Sequence, residues 1–348
     1  MKRIISTIMT AALLLTTIIG GKTSNAAMTE YKRIVSGDYE YAVLDETKKT
    51  ATLLKIGTEK KEMEIPGSID GYSIVQIGIS YYDYDFMFDP YTQERESFLK
   101  VPDESRRVLS SDGSLVEKLI IPEGVKKIGE YAFKNTPNLK QLKLPKSLTE
   151  ICSENFYGAT KLKTVTFNNS IVIRKAFENT CFDKVVLRGS LSSSDDDNGE
   201  WYEGIHCKID QLEIEGKGNV NVSTSAKVNK MNVSKSVKKL NVWKGTYMKK
   251  MTIKNKKTKV YLWAYDAKVE RTQFDMGTYA KKKKGKYTWS KPYFKLYDND
   301  TSKFKKQVSY VIKYKKNGKS RTKTVKKNTI KNLHSSSKIH VYAIVKLK

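Results

Sequence analysis

The sequence has few of the residues on which metal enzymes and hydrolases depend. Its 348 residues include only 3 His, 3 Cys and 7 Pro. No His-Glu-x-x-His, Cys-x-x-Cys or Gly-x-Ser-x-Gly pattern occurs in it. We therefore predict no catalytic residue, no metal site and no cofactor.

The cysteines also argue against a disulfide framework. Cys152, Cys181 and Cys207 are odd in number and lie in apolar contexts, which favours buried free thiols; a single disulfide is the alternative. The scarcity of proline and an apolar content of 39% exclude a collagen-like, low-complexity or fully disordered chain. The length indicates about two domains.

The acidic segment Asp195-Asp-Asp-Asn-Gly-Glu200 suggests a calcium loop at first sight. It lacks the glycine at the sixth position and the bidentate glutamate at the twelfth that such a loop needs. We interpret it as a polar insertion between two coils of a repeat. His206, His334 and His340 lack spaced partners for a metal ion, so we assign them structural roles.

Acidic residues are scarce in the C-terminal part of the chain. Residues 208–348 carry 38 Lys and Arg against 8 Asp and Glu, a net charge of +30, whereas residues 1–207 are nearly neutral, at −2. A field of one sign attracts polyanions. No groove-reading element of a known type is recognisable, so we predict anionic cell-wall or matrix polymers as partners and no specific nucleic acid. The candidate polyanion-binding residues are Lys281, Lys282, Lys283, Lys284, Lys315, Lys316, Lys326 and Lys327.

The N-terminal segment, residues 1–26, has the pattern of a secretory signal peptide. Lys2 and Arg3 precede an apolar stretch at residues 4–19, and Ser24-Asn-Ala26 supplies the small residues of a cleavage site. A retained membrane anchor is the alternative, but the apolar stretch is short and no second one follows. We expect a protein that is secreted, or held non-covalently at the cell surface, without integral membrane association after cleavage.

Short apolar triplets recur at nearly constant spacing, with steps of 23, 23 and 20 residues. The triplets are Leu119-Ile-Ile121, Leu142-Lys-Leu144, Val165-Thr-Phe167 and Val185-Val-Leu187. A three-residue strand cannot bury its apolar side chains alone, but stacking successive coils completes a continuous core. The spacing therefore predicts a solenoid.

A second landmark, which ends in phenylalanine, lies between the triplets. It reads Ile128-Gly-Glu-Tyr-Ala-Phe133, Ile151-Cys-Ser-Glu-Asn-Phe156 and Val172-Ile-Arg-Lys-Ala-Phe177. We predict that the three phenylalanine rings form an internal ladder on the far side of the coils. Asn135, Gly158 and Asn179 follow them and are expected to be turn residues with unusual backbone angles.

Residues 118–187 resemble the BspA-like leucine-rich repeat family, whose repeat is approximately L-x-x-[VI]-x-[IL]-P-x-x-[VL]-x-x-I-x-x-x-A-F. Residues 51–78 are similar to the family's usual opening. The likeness is interrupted at residues 79–114, where Phe86 or Phe88 would replace the expected phenylalanine. The resemblance implies a secreted or surface protein that binds a ligand rather than an enzyme.

The pattern changes after residue 207 without stopping. Two sets of triplets, each with steps of 19 or 20 residues, now alternate: Leu212-Glu-Ile214, Met231-Asn-Val233 and Met251-Thr-Ile253 in the first, and Val220-Asn-Val222, Leu240-Asn-Val242 and Val260-Tyr-Leu262 in the second. We predict that residues 208–263 continue the solenoid with two strands per coil. An antiparallel meander is the alternative.

The repeat is expected to end after Tyr265. Alternating apolar residues within residues 281–348, with a hairpin signal at Asn317-Gly318, predict a compact antiparallel module. This module resembles fibronectin type III domains, except that Ile339 stands where the corner tyrosine is expected.

The sequence thus predicts a mainly β protein in which a leucine-rich-repeat/β-solenoid is followed by a small β-sandwich-like domain. The predicted segments are a signal peptide at 1–26, a cap hairpin with the first repeat and insertion at 27–117, the solenoid at 118–265 and the basic module at 281–348.

Outward positions of the later coils combine aromatic, amide and basic side chains. The candidate ligand-binding residues are Asn221, Lys239, Asn241, Trp243, Lys259, Tyr261 and Trp263. Trp243 and Trp263 are one coil apart in the same column, so their rings should be neighbours about 4.8 Å apart. Such a surface can stack on sugar rings or anchor a protein partner. The alternative is that the C-terminal module covers both rings as a cap of the solenoid.

These features predict a non-enzymatic binding protein of the adhesin or surface-antigen type. Its solenoid face would recognise a protein or glycan ligand, and its basic half would retain it on anionic polymers. A cell-envelope enzyme or enzyme accessory acting on wall glycans is one alternative, and a structural surface-layer component is another.

Overall fold

The computed structural model describes residues 33–79, 107–109, 113–192, 207–224, 226–243, 246–263, 268–281, 285–297, 306–331, 333 and 338–347. The predicted signal peptide, Phe86, Phe88, the acidic segment at 195–200 and the histidines at 206 and 334 lie outside these residues. None of the described segments forms a helix long and apolar enough to cross a membrane.

Regular structure in the described residues consists of β-strands. They are β1 Arg33–Ser36, β2 Tyr39–Asp45, β3 Thr50–Ile56, β4 Glu62–Glu64, β5 Ser68–Ile69, β6 Tyr72–Ile77, β7 Lys118–Ile120, β8 Lys127–Ile128, β9 Gln141–Lys143, β10 Glu150–Ile151, β11 Thr164–Phe167, β12 Ile171–Ile173, β13 Cys181–Leu187, β14 Leu191–Ser192, β15 Lys208–Ile214, β16 Gly218–Val222, β17 Lys227–Val233, β18 Val237–Val242, β19 Tyr247–Ile253, β20 Lys259–Trp263, β21 Lys268–Ala280, β22 Lys286–Thr288, β23 Phe294–Tyr297, β24 Lys306–Lys316, β25 Lys319–Val325, β26 Thr329–Lys331 and β27 Lys338–Leu347.

Successive coils stack in parallel and in register, which confirms the predicted solenoid. It has about eight turns. Leu119 of β7 pairs with Leu142 of β9, and Val165 of β11 pairs with Val185 of β13. Because each coil contributes only short strands, every strand depends on its neighbours in the stack to complete its backbone hydrogen bonds and its buried face.

Two long sheets form the walls of the solenoid. Sheet 1 has the strand order β1-β2-β3-β6-β8-β10-β12-β14-β16-β18-β20-β23, with β5 paired to β6. Sheet 2 has the order β11-β13-β15-β17-β19-β21-β27-β24-β25. Two smaller sheets, β4-β7-β9 and β22-β26, complete the strand pairing in the described part of the chain.

The predicted phenylalanine ladder is present in the core. The ring of Phe156 stacks 5.6 Å from that of Phe133 and 5.2 Å from that of Phe177, and all three side chains are fully buried. A single cluster of buried residues extends from Tyr41 in β2 to Val345 in β27. The solenoid therefore has one continuous hydrophobic interior.

The turn residues after the ladder also agree with the prediction. Asn135, Gly158 and Asn179 have φ angles of 62°, 71° and 60°, in the left-handed region that asparagine and glycine tolerate best. The predicted alignment of the third landmark is wrong by one residue. Ile173, and not Val172, pairs with Ile151. The reason is that this coil has one residue fewer between its paired isoleucine and the following phenylalanine than the preceding coil has.

The later coils form parallel columns, which excludes the meander. In sheet 2, Met231 pairs with both Leu212 and Met251. In sheet 1, Leu240 pairs with Val220 and Val260. Each of these coils thus adds one rung to each wall, as the two sets of triplets predicted.

The stack does not end after Tyr265, in contrast to the sequence prediction. The β21 strand adds a further parallel rung to sheet 2, where Phe274 pairs with Ile253. The β23 strand adds one to sheet 1, where Phe294 pairs with Val260. This last rung was missed because the paired positions in sheet 1 lie much farther apart in the chain than the regular step of the preceding coils.

The C-terminal strands extend the walls of the solenoid. Strand β27 pairs antiparallel with β21, and β24 and β25 follow it at the end of sheet 2. The hairpin predicted at Asn317-Gly318 connects β24 and β25. The similarity of residues 281–348 to fibronectin type III domains stays a prediction.

Candidate functional site

The outer face of sheet 1 presents three rows of polar and aromatic side chains over its last rungs. The first row is Asn219, Lys239, Lys259 and Tyr293, the second is Asn221, Asn241, Tyr261 and Lys295, and the third is Ser223, Trp243, Trp263 and Tyr297. The parallel register fixes these rows, because each residue lies one coil above its equivalent. We call the last three rungs of these rows the aromatic face.

The third row is a stack of three aromatic rings. The ring centroids of Trp243 and Trp263 are 4.6 Å apart with an interplanar angle of 7°, and those of Trp263 and Tyr297 are 4.3 Å apart at 13°. Both faces of the Trp263 ring are thus occupied. Trp243 is 37% exposed and is the first ring of the stack, since the preceding rung carries Ser223.

The structure covers one of the two tryptophans and leaves the other exposed. The C-terminal strand β23 covers Trp263 through Tyr297, as a cap would. The ring of Trp243 is exposed at the beginning of the stack, where a flat ligand ring could continue it.

Lysine side chains lie over the tyrosine rings of the aromatic face. The Nζ atom of Lys239 is 4.8 Å from the ring centroid of Tyr261, and that of Lys295 is 4.2 Å from the ring centroid of Tyr297. The hydroxyl of Tyr261 donates a hydrogen bond to that of Tyr293 at 3.4 Å, and this bond is the largest cause that raises the pKa of Tyr261 to about 12. The lysines therefore give the face positive charge, and its hydrogen-bonded Tyr261 hydroxyl keeps its proton to a higher pH than an ordinary tyrosine.

A ladder of side-chain hydrogen bonds leads into the aromatic face along the second row. Asn241 Nδ2 donates to Asn221 Oδ1 at 2.7 Å, and the backbone N–H of Asn221 donates to Ser190 Oγ at 3.0 Å. The backbone N–H of Ser190 in turn donates to Ser170 Oγ. A polar cavity of about 390 Å³ lies beside this ladder and is lined by Asn169, Ser170, Arg188, Gly189, Ser190, Glu215, Lys217, Asn219 and Val220.

Three members of the aromatic face were missed by the sequence analysis. Tyr293, Lys295 and Tyr297 belong to β23 and its approach, which were assigned to a separate module. The alternation of residues 293–297 does repeat that of residues 259–263, with aromatic and basic residues on the outer face and Phe294 and Leu296 inward. This shared alternation could have identified residues 293–297 as a further rung of sheet 1. It was missed because these residues follow residues 259–263 at a longer step than the regular one of the coils.

The predicted polyanion-binding lysines do not form one cluster. Lys315 and Lys316 end β24, whereas Lys326 and Lys327 follow the opposite end of β25, about 23 Å away for a seven-residue strand. These four residues and Lys281 are exposed. Residues 282–284 lie outside the described part of the chain.

The cysteines differ in exposure, and one prediction was wrong. Cys152 is buried and Cys207 is partly buried, but Cys181 is exposed because it occupies an outward position at the start of β13. All three are free thiols. Burial raises the pKa of the Cys207 thiol to about 12, against a smaller opposite effect of a hydrogen bond with Thr180.

The remaining described histidine serves the packing of two strands. His340 of β27 lies with Nε2 2.8 Å from Asp275 Oδ1 and with Nδ1 3.1 Å from Thr278 Oγ1, both in β21. The described residues contain no group of three side chains placed to hold a metal ion.

Comparison with solved structures matches the chain to leucine-rich repeat proteins at low identity and low TM-score. A leucine-rich repeat protein of T. pallidum is 15% identical, with 62% of this chain and 89% of that chain covered and a TM-score of 0.39. A leucine-rich repeat protein of Bacteroides ovatus is 14% identical, with 68% and 76% covered and a TM-score of 0.33. A leucine-rich cell surface protein of Faecalibacterium prausnitzii is 14% identical, with 68% and 94% covered and a TM-score of 0.27.

No curated protein matches the chain. The family comparison agrees with the coil geometry described above, because the six repeat copies lie within a range that includes the three coils of the phenylalanine ladder. Residues 111–198 of this protein match the model of the BspA type leucine-rich repeat region.

Proposed function

We propose that this protein is a secreted or cell-surface binding protein without enzymatic activity, of the adhesin or surface-antigen type. It recognises a glycan or protein ligand through the aromatic face, and its basic C-terminal half retains it on anionic cell-wall or matrix polymers. The observation that carries the proposal is the stacked row that begins with the exposed ring of Trp243.

The chemistry of the aromatic face suits a hydroxyl-rich or mixed polar ligand. An exposed indole face binds the apolar face of a sugar ring or an aromatic side chain. The amides of Asn221 and Asn241, one row away, supply both hydrogen-bond donors and acceptors. Lys239 and Lys259 add positive charge on the other side of the amides.

The solenoid holds these groups in fixed positions before a ligand arrives. Val220, Leu240 and Val260 lie between the outward residues and are fully buried. Backbone pairing in register locks each rung to the next. A preorganised surface loses little conformational entropy on binding, which favours affinity.

An array of glycans, extracellular-matrix proteins and teichoic acids tests the proposal. The wild-type protein is compared with Trp243→Ala and with Tyr342→Ala, a partly exposed aromatic residue on the outer face of sheet 2. We expect binding to at least one ligand class that Trp243→Ala abolishes and Tyr342→Ala preserves. Binding to teichoic acids through the basic half should survive in both variants. Binding to a glycan or matrix protein that both variants retain in full, or no binding of the wild type to any ligand class, would contradict the proposal.

A further inference from the structure

A row of basic side chains crosses the outer face of sheet 2, on the wall opposite the aromatic face. The parallel register aligns Lys184, Lys230, Lys250 and Arg271, which belong to β13, β17, β19 and β21. Gln211 of β15 takes the position between the first two. We call the four basic residues the cationic row.

The cationic row is exposed and extended. All four side chains lie at the surface. Adjacent strands are about 4.8 Å apart, so the four steps from Lys184 to Arg271 span about 19 Å along the solenoid axis.

The protein neutralises little of this charge. Lys230 lies 3.8 Å from Asp210, whose carboxylate also accepts a hydrogen bond from Asn229. In the described part of the chain, Lys184, Lys250 and Arg271 have no carboxylate within ion-pair distance.

In the first coils, by contrast, basic residues form ion pairs with acidic residues of the neighbouring coil. Lys118 forms an ion pair with Glu62 of the preceding coil at 2.8 Å, and Lys140 pairs with Glu117 at the same distance. Stacked like charges on neighbouring strands are destabilising. Three cations of the row have no such partner in the described part of the chain, so their alignment is a feature that the fold does not need for its own stability.

We propose that the cationic row is the binding site of a linear polyanion that lies along the solenoid axis. A line of cations, three on adjacent strands and a fourth one position beyond Gln211, fits a flexible chain with repeating phosphate, sulfate or carboxylate groups better than a compact anion, which would contact only one or two of them. The inference rests on the proposed retention on anionic polymers. It moves the main contact from the lysines at the two ends of β25 to the parallel strands β13 to β21 of the same sheet.

The dependence of binding on salt measures the number of cations that contact the polymer, because each contact releases counterions. The affinity of the purified protein is measured for synthetic poly(glycerol phosphate) and for heparin between 50 mM and 300 mM NaCl. Poly(glycerol phosphate) carries phosphate groups, whereas heparin carries sulfate and carboxylate groups, so the comparison shows which anionic group is preferred. Tight binding of either polymer agrees with the proposed polyanion site.

Three variants locate the contact. Replacing Lys230, Lys250 and Arg271 by Gln should lower the slope of log affinity against log salt by about 3 and the affinity at 100 mM NaCl by more than tenfold. Replacing Lys315, Lys316 and Lys319 by Gln removes the same charge from the β24–β25 hairpin and should leave the slope nearly unchanged. The single change Gln211→Lys fills the gap in the row and should raise the slope by about 1.

A charge-preserving variant controls for folding. Lys230→Arg combined with Lys250→Arg and Arg271→Lys keeps the row and should bind like the wild type. The inference fails if the hairpin variant loses as much affinity as the row variant, because net charge alone would then explain binding; retention on polyanions would still stand. If the wild type binds neither polymer, both the inference and the proposed retention are wrong.

Discussion

The rings of Phe156 and Phe177 lie 5.2 Å apart and nearly parallel, at 12°, although they belong to successive coils of the chain. Their stacking in the fully buried interior joins one coil of the solenoid to the next. Phe156 has a second stacked neighbour, Phe133, on its other side. It therefore occupies the middle of the ladder on which the repeat region depends.

Removing the middle ring should destabilise the fold strongly. Phe156→Ala deletes a fully buried ring between two others and should reduce the free energy of unfolding by about 3–5 kcal/mol. Urea denaturation followed by circular dichroism measures the change. Lys143→Ala, at an exposed position of β9, is the control and should shift the free energy by less than about 0.5 kcal/mol. Equal effects of the two changes would contradict a stacked interior.

Filling the open end of the aromatic row should block the ligand. Ser223→Phe places a fourth ring next to Trp243, where we propose that the ligand ring stacks. We expect at least a tenfold loss of affinity for the ligand found on the array, measured by isothermal titration calorimetry, with an unchanged circular dichroism spectrum. Ser234→Phe, in the turn after β17 on another side of the coil, is the matched control and should retain binding. Undiminished affinity of Ser223→Phe would exclude the open ring face as the contact.

The three thiols should react at very different rates. Cys181 is exposed and should be alkylated first by iodoacetamide at pH 8.5, whereas Cys152 is buried. The Cys207 thiol, with a pKa raised to about 12 by burial, forms little of the reactive thiolate at this pH. Mass spectrometry of the native protein should show one fast modification, and all three in denaturant. Rapid native alkylation of Cys207 would show that its environment differs from the one described.

Alkaline conditions should weaken the N-terminal cap through Tyr41. Burial, followed by the nearby Asp70 carboxylate, raises the pKa of Tyr41 from 10.0 to about 12. Since the folded state favours the protonated hydroxyl, this contribution to stability is complete below pH 10 and is lost as the pH rises to 12. Between pH 9 and pH 11.5, Tyr41→Phe should lose less free energy of unfolding than the wild type. An equal loss in both proteins would refute the role of this side chain.

Much of the solenoid could be predicted because its periodicity is a direct consequence of packing. Leu119, Leu142 and Val165 recur at the step of one coil, since each must cover the same part of a shared core. The columns around Leu212 and Val220 were predictable for the same reason. Here the sequence pattern and the strand register carry the same information.

The last rung of the solenoid could not be predicted, because the regular spacing of the repeats is interrupted before it. The last rung of sheet 1 pairs Val260 with Phe294, and β21 and β22 lie between them in the chain. The cationic row could not be predicted for another reason. Lys184, Lys230 and Arg271 are unremarkable in a lysine-rich sequence, and only the register of neighbouring strands shows that they are aligned.

Tryptophan fluorescence tests the central claim, that ligand stacks on the open ring of Trp243, most directly. In a variant with Trp201→Phe and Trp289→Phe, emission comes from Trp243 and Trp263 alone. The account predicts a saturable change in emission when ligand is added, with the dissociation constant found by calorimetry, and no change once Ser223→Phe is introduced. Emission that stays constant while calorimetry records full binding would contradict it.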